Sequence, residues 1–279
     1  MPGPTSGLIC RRVPPFSSII SIFALKDNKP FADMKRHILL LALAVLAILM
    51  AFSGCGRSAK KAAEAAEKAR ADSIAAVQHV QDSLKALKKV EKKKVAAEKF
   101  AKLPAEPVFD IVTNYGTMRV KLYSKTPKHR DNFAKLSLEG YYDGLLFHRV
   151  INGFMIQGGD PLTRDTSAVA RYGTGGPDYK IPAEFVPEYR HTKGALAAAR
   201  QGDRANPYRE SSGSQFYIVQ NEAACAQLDG AYTVFGQTIS GLDVIDKIAV
   251  VRTYRDHQPY PNDFPVKPVE IIEIKLVEE

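Results

Sequence analysis

The chain has 279 residues, 45% apolar and 25% charged, enough for one good-sized globular domain with further segments attached. A formal charge of +9 would suit a nucleic-acid partner, but the excess is local: residues 1–54 hold 6 Lys/Arg against 2 Asp/Glu, residues 55–103 hold 13 against 6, and residues 104–279 hold 20 against 22. The C-terminal part is slightly acidic, which argues against nucleic acid, and three scattered cysteines, Cys10, Cys55 and Cys225, argue against a disulfide framework or a paired-thiol metal motif.

In chain order, the first readable unit begins at Met34. A short basic head, Lys35-Arg36-His37, leads into an apolar run from Ile38 to Phe52, and Ser53-Gly54-Cys55 follows. Basic head, apolar run and small residues are the parts of an export signal. The run is shorter than the roughly 20 residues that a transmembrane helix needs. Phe52-Ser53-Gly54-Cys55 resembles the lipobox of bacterial lipoproteins, with Phe where Leu is usual. That resemblance implies a lipidated Cys55 as the mature N-terminus and a protein anchored in the cell envelope, facing the periplasm or the cell surface. An uncleaved membrane anchor is the alternative. Residues 1–33, upstream of a complete signal, read as a start assigned too early, so that 34–54 is the signal peptide and 55–106 the lipidated cysteine and tether.

Residues 57–103 are dominated by Ala, Lys, Glu and Gln, a composition that favours helix. Ile74, Val77, Leu84 and Leu87 form a weak seam, which charges break beyond Val90. The segment reads as a solvated, partly helical spacer, or as a short coiled coil giving weak self-association. A helix of about 45 residues at ~1.5 Å each would hold the following domain roughly 65 to 70 Å from the membrane. Its Lys/Arg excess favours anionic lipid or cell-wall polymer.

Pro104 and Pro107 mark a boundary, after which 107–279 reads as one domain. Thr117 to Leu122 alternates apolar and polar residues, as a half-buried strand does. Asn114-Tyr115-Gly116 suits a hairpin turn from a strand around Phe109 to Thr113. Thr126 as N-cap, Pro127 at the first helical position and Gly140 as stop predict a short helix with Phe133 and Leu136 on one face. Further strands are predicted at Leu145–Val150, Ala195–Ala199, Gln215–Val219, Thr233–Thr238 and Val269–Val277, with a second helix over Leu242–Ile248. The fold class is mostly β: a closed antiparallel barrel of about eight strands, capped by two α-helices and preceded by the helical tether. Side chains fill the interior of so small a barrel, so a site belongs on its outer wall.

Phe147-His148-Arg149-Val150-Ile151-Asn152-Gly153-Phe154-Met155-Ile156-Gln157-Gly158-Gly159-Asp160 resembles the central signature of the cyclophilins. Ser212-Gly213-Ser214-Gln215-Phe216-Tyr217-Ile218 and Leu228-Asp229-Gly230-Ala231-Tyr232-Thr233-Val234-Phe235-Gly236 resemble the family's later motifs, in the family's order. Asp131-Asn132-Phe133 and Gly140-Tyr141-Tyr142-Asp143-Gly144 fit its first helix and the turn after it. Residues 107 to 277 are covered. The resemblance implies peptidyl-prolyl cis/trans isomerisation, with Arg149 as the catalytic arginine and Phe154, Met155 and Gln157 as the proline pocket and its polar neighbour. It implies that Ala199 and Arg200 form the strand edge for the peptide backbone, that Gln215 buttresses the site, and that Tyr217, usually Phe, and Leu228 line the pocket. Gln227 stands where many eukaryotic members have Trp, and Tyr232 where a His lies near the rim. Both resemble bacterial cyclophilins, and loss of the Trp implies weak cyclosporin binding without loss of activity. Arg200, where many relatives have Asn, implies an altered preference for the residue before proline. Residues 160–182 and 200–211 read as long loops beside the groove.

An X-Pro bond isomerises through a twisted state over a barrier of ~18 to 20 kcal/mol, in which the proline nitrogen becomes pyramidal and gains a lone pair. A guanidinium is always charged and only donates, so Arg149 suits that lone pair. The partner is thus a proline-containing polypeptide, and no cofactor, metal or covalent step is required. His129, His148, His191 and His257 lack ligand spacing and read as structural or exposed. Gly173-Thr174-Gly175-Gly176 reads as a loop and not a phosphate cradle. Two rivals stand beside the enzyme: a non-catalytic peptide-binding chaperone, and a structural envelope lipoprotein whose tether does the work.

Overall fold

The computed structural model describes residues 57–278. The expected upstream start, signal peptide and lipidated Cys55 lie outside the described residues.

Helix α1, Arg57–Phe100, contains neither glycine nor proline and is rich in strong helix formers. The chain divides into two units after Asp82, within this helix. In the first, Ile74 and Val77 are exposed, 70% and 47%. In the second, Leu87 is exposed, but the last turns behave differently from a solvated spacer. Ala96 is buried, and Phe100 and Leu103 pack on the domain core. Lys92 pairs with Asp143 at 3.2 Å and Lys99 with Glu278 at 2.6 Å. The spacer reading is corrected there: a composition that suits water does not reveal the few apolar residues that dock. Among the described residues, no helix is long and apolar enough to cross a membrane.

The domain is built on β1 (Val108–Thr113), β2 (Gly116–Leu122), β3 (Leu145–Leu146), β4 (Arg149–Ile151), β5 (Met155–Gly158), β7 (Ala195–Ala198), β9 (Phe216–Val219), β10 (Val234–Ser240) and β11 (Glu270–Leu276), with β6 (Lys180–Ile181) pairing separately with β8 (Ser211–Ser212). All these ladders are antiparallel. Helices α2 (Pro127–Leu138) and α4 (Leu242–Ala249) flank the sheet, and a short α3 (Glu222–Cys225) follows β9. Asn114-Tyr115 makes the two-residue turn of the β1–β2 hairpin, since Thr113 faces Gly116.

The expected closed eight-stranded barrel is corrected to an open, nine-stranded curled sheet in the order β3-β11-β1-β2-β10-β7-β9-β5-β4. The reason lies in the stretch read as one strand, Leu145–Val150. Leu145 and Leu146 pair with β11, whereas Arg149 to Ile151 pair with β5. At the break, Phe147 N–H donates to the Val269 carbonyl and His148 N–H to the Gln157 carbonyl. The two ends of the sheet are therefore consecutive in the chain, but no ladder joins them.

Period-two alternation sorts the sheet's two faces. Phe109, Ile111, Met118, Val120, Ile156, Leu196, Phe216 and Ile218 point inward and pack with Phe133 of α2 and Ile245 and Ile248 of α4. Met155, Ala195, Ala197, Tyr217, Val219 and Val234 point the other way. Helix α2 ends as the sequence predicts: Gly140, at φ +70°, donates to Ser137 and Tyr141 donates to Leu136, a left-handed stop that suits glycine. Its start differs. The Thr126 hydroxyl makes no capping bond and donates to the Tyr123 carbonyl instead. Glu184 from a distant loop accepts from the N–H groups of Lys128 and His129 and from the His129 ring.

Candidate active site

The sheet register assembles a row of side chains on the outer face. Arg149 on β4 lies opposite Gln157 on β5, which lies opposite Tyr217 on β9, which lies opposite Ala197 on β7. Met155, two residues before Gln157, shares that face and pairs with Val219. Phe154, Leu228 and Tyr232 pack against this second cluster. The arginine, the glutamine and the apolar wall thus meet where strand alternation puts them, on the outer wall.

Arg149 is 44% exposed, so its guanidinium is open to an incoming ligand. One of its terminal nitrogens donates to Gln157 Oε1 at 3.5 Å, and its Nε lies 3.9 Å from the Asp263 carboxylate. Gln157 donates through Nε2 to Gln215 Oε1 at 3.2 Å. Gln215 in turn donates to the carbonyls of Gly173 and Gly175, at 3.1 and 2.6 Å. That loop is held from its other side, because the Gly173 and Gly175 N–H groups donate to the buried Asp160. A Cβ at Gly175 would stand 2.1 Å from an Asp160 oxygen, so only glycine allows the approach. The N–H groups of Gly173 and Gly175 are thereby spent on Asp160, while their carbonyls hold Gln215.

The pocket wall carries a polar chain of its own. Tyr217 is buried and its hydroxyl lies 2.8 Å from His191 Nε2. His191 Nδ1 is 2.7 Å from Asp229, which also accepts from the His191 N–H and from Arg190. Asp229 therefore fixes the Nδ1–H tautomer, and Tyr217 donates to Nε2. Burial lowers the His191 pKa against the upward pull of Asp229, which keeps the ring neutral.

Arg200 is locked in place. Its side chain is 4% exposed, bonded to the carbonyls of Ala231 and Gln201, paired with Asp203 at 2.6 Å and laid 4.2 Å over the Tyr232 ring. Ala199 is corrected as a peptide-pairing edge: its N–H already donates to Gln215 and its carbonyl accepts from Ser212, because the chain leaving the 200–211 loop returns beside it. The backbone groups of Arg200 make no such bond among the described residues. The structure thus brings Arg149, Gln157, Gln215, Phe154, Met155, Tyr217, Leu228 and Tyr232 together, with Arg200 at the rim.

Three residues beside this site were not expected there. Asp160 and Asp229 stand inside the quoted motifs and were legible as polar residues in apolar surroundings. Asp263 lies in a Pro- and Tyr-rich segment that carries no such signal.

The family described as "Cyclophilin type peptidyl-prolyl cis-trans isomerase/CLD" matches residues 108–276. The chain is 37% identical over 179 residues to "Peptidyl-prolyl cis-trans isomerase-like 1" of Aspergillus fumigatus, covering 63% of this chain and 98% of that protein. It is 36% identical over 165 residues to "Peptidyl-prolyl cis-trans isomerase ppi1" of Schizosaccharomyces pombe, covering 58% and 94%. Among solved structures, a cyclophilin type peptidyl-prolyl cis-trans isomerase of Cryptosporidium parvum is similar, with a TM-score of 0.53, 30% identity, and coverage of 62% of this chain and 99% of that one.

Proposed function

The chain belongs to the cyclophilin-type peptidyl-prolyl cis-trans isomerases, and from that premise we propose that it turns X-Pro bonds of exported polypeptides by stabilising a twisted amide with Arg149. The observation that carries this reading is the register that sets an open guanidinium beside Gln157 and in line with an apolar wall.

In the planar ground state the proline nitrogen offers its lone pair poorly, and in the twisted state it offers it fully. A donor aimed there favours the transition state over the substrate. A charge-assisted hydrogen bond contributes ~1.5 to 3 kcal/mol, or about one to two decades of rate. Taking a half-time of ~100 s to about a millisecond requires five decades, near 7 kcal/mol, so Arg149 supplies only part. The remainder falls to the pocket of Phe154, Met155, Tyr217, Leu228 and Tyr232, which seats the proline ring away from water, and to Gln157 as a fixed donor near the turning carbonyl. For that role Gln157 must present its amide nitrogen, which Gln215 Oε1 now orients.

The export context and membrane anchor rest on the residues from Met34 to Cys55 alone. In a proline-isomerisation assay, Arg149→Ala is expected to lose one to two decades of the catalysed rate. Equal rates for wild type and variant overturn the role given to Arg149.

A further inference from the structure

The segment between α4 and β11 lies outside the motifs quoted above, yet it reaches the site. It folds back on itself: Tyr254 N–H donates to the Phe264 carbonyl at 2.8 Å, Asp263 N–H to the Tyr254 carbonyl at 3.1 Å, and Val266 N–H to the Arg252 carbonyl at 2.9 Å. Tyr254 and Tyr260 stack at 4.1 Å, and Phe264 is buried edge-on against Tyr172. The folded segment covers the free edge of β4, where the Asp263 carbonyl accepts from Val150 N–H at 2.8 Å. Asp263 itself sits at φ +67°, a left-handed conformation that a residue with a side chain adopts at a cost. Its carboxylate, 29% exposed, then lies 3.9 Å from Arg149 Nε.

We propose that Asp263 is a positioning residue for Arg149. Its carboxylate restrains the Nε side of the guanidinium while Gln157 restrains one terminal nitrogen, leaving the other N–H groups to face the substrate. Arginine has a long side chain with much rotamer freedom, and restraint from two sides removes that freedom before the substrate arrives. A strained backbone kept at a site is a reason to look for a function of the side chain that it delivers. The inference rests on the reading of Arg149 as the catalytic cation.

The test is steady-state isomerisation of a short X-Pro peptide by the full chain, comparing wild type with Asp263→Asn, Asp263→Gly, Arg149→Ala and the Arg149→Ala/Asp263→Asn double variant. Asp263→Asn is expected to lower kcat about three- to tenfold and to leave KM within about twofold, because the proline pocket is untouched. Asp263→Gly relieves the backbone, so its Tm is expected to rise while kcat falls as in the asparagine variant. In the Arg149→Ala background the asparagine substitution is expected to change nothing further. Unchanged kcat in both Asp263 variants beside a slow Arg149→Ala overturns the positioning role alone. A fall in kcat matched by a fall in Tm, or by a rise in KM, also overturns it, as a purely structural effect. An Arg149→Ala as fast as wild type overturns instead the catalytic reading on which the inference rests.

Discussion

His148 precedes the candidate catalytic arginine and is buried, with no partner of hydrogen-bond geometry at either ring nitrogen among the described residues and only a weak contact to the Leu146 carbonyl. Burial lowers its pKa from 6.5 to about 4, Asp160 pulling it up and Arg149 pushing it down. Between those two values the unfolded chain binds a proton that the native state refuses, so stability rises with pH there. The shift corresponds to roughly 3 kcal/mol of stability, present in full above pH 6.5 and lost as pH falls to about 4. Urea unfolding at about pH 7 and about pH 4.5 checks this: wild type is expected to lose much of that amount, and His148→Leu distinctly less. Equal losses would mean that other groups carry the acid sensitivity; His191, also lowered by burial, adds in the same direction. At this scale the motifs made Arg149, Gln157 and the pocket residues legible, because each is a chemically distinctive side chain at a fixed offset. The Thr126 cap and the Ala199 edge misled for one shared reason. Both assignments depend on which distant segment arrives to take the hydrogen bonds, Glu184 in one case and Ser212 in the other, and local sequence does not encode that.

Among the elements, those whose burial follows a simple period were readable and those fixed by long-range pairing were not. The hairpin β1–β2, the helices α2 and α4, and the strands β7, β9, β10 and β11 lie within a few residues of expectation. Two-residue strand β6 lies in a stretch read as a loop and β8 straddles the end of another, since no periodicity can show in so short a run. Helix α1 is the instructive case: its composition predicts a helix correctly, but the docking of its last turns rests on Ala96, Phe100 and two ion pairs across 51 and 179 residues of sequence. The exposed ion pairs add little; the contribution lies in the apolar contact. A chain beginning at Ser83 is therefore expected to unfold at the temperature of one beginning at Arg57, whereas one beginning at Pro104 loses about 1 to 3 kcal/mol, a fall of several degrees in Tm. Thermal unfolding of the three chains checks it, and a Pro104 chain as stable as the others would show that the docked turns contribute nothing.

For the molecule as a whole, charge and chemistry are separated along the chain. Every residue assigned to the site lies at or beyond Arg149, in a part holding 20 Lys/Arg against 22 Asp/Glu, while residues 55–103 hold 13 against 6. If the proposed export signal brings this basic segment to a membrane, it adds electrostatic attraction to an anionic surface, about 1 kcal/mol per Lys or Arg close to the headgroups and less beyond a Debye length. Positions along a long helix soon exceed that distance, so attraction alone gives salt-sensitive binding, whereas an acyl chain contributes ~0.8 kcal/mol per buried CH₂ whatever the salt. The two sources are therefore separable. In the proposed lipoprotein, wild type incorporates labelled palmitate and stays with membranes through a wash of about 1 M salt, while Cys55→Ser incorporates none and is released by that wash. Isomerase activity of the released variant is expected to match wild type, because position 55 is far in sequence from every residue of the site. A Cys55→Ser protein that still resists the salt wash would point to the apolar run from Ile38 to Phe52 as an uncleaved anchor, and would remove the lipid from the account while leaving the enzyme intact.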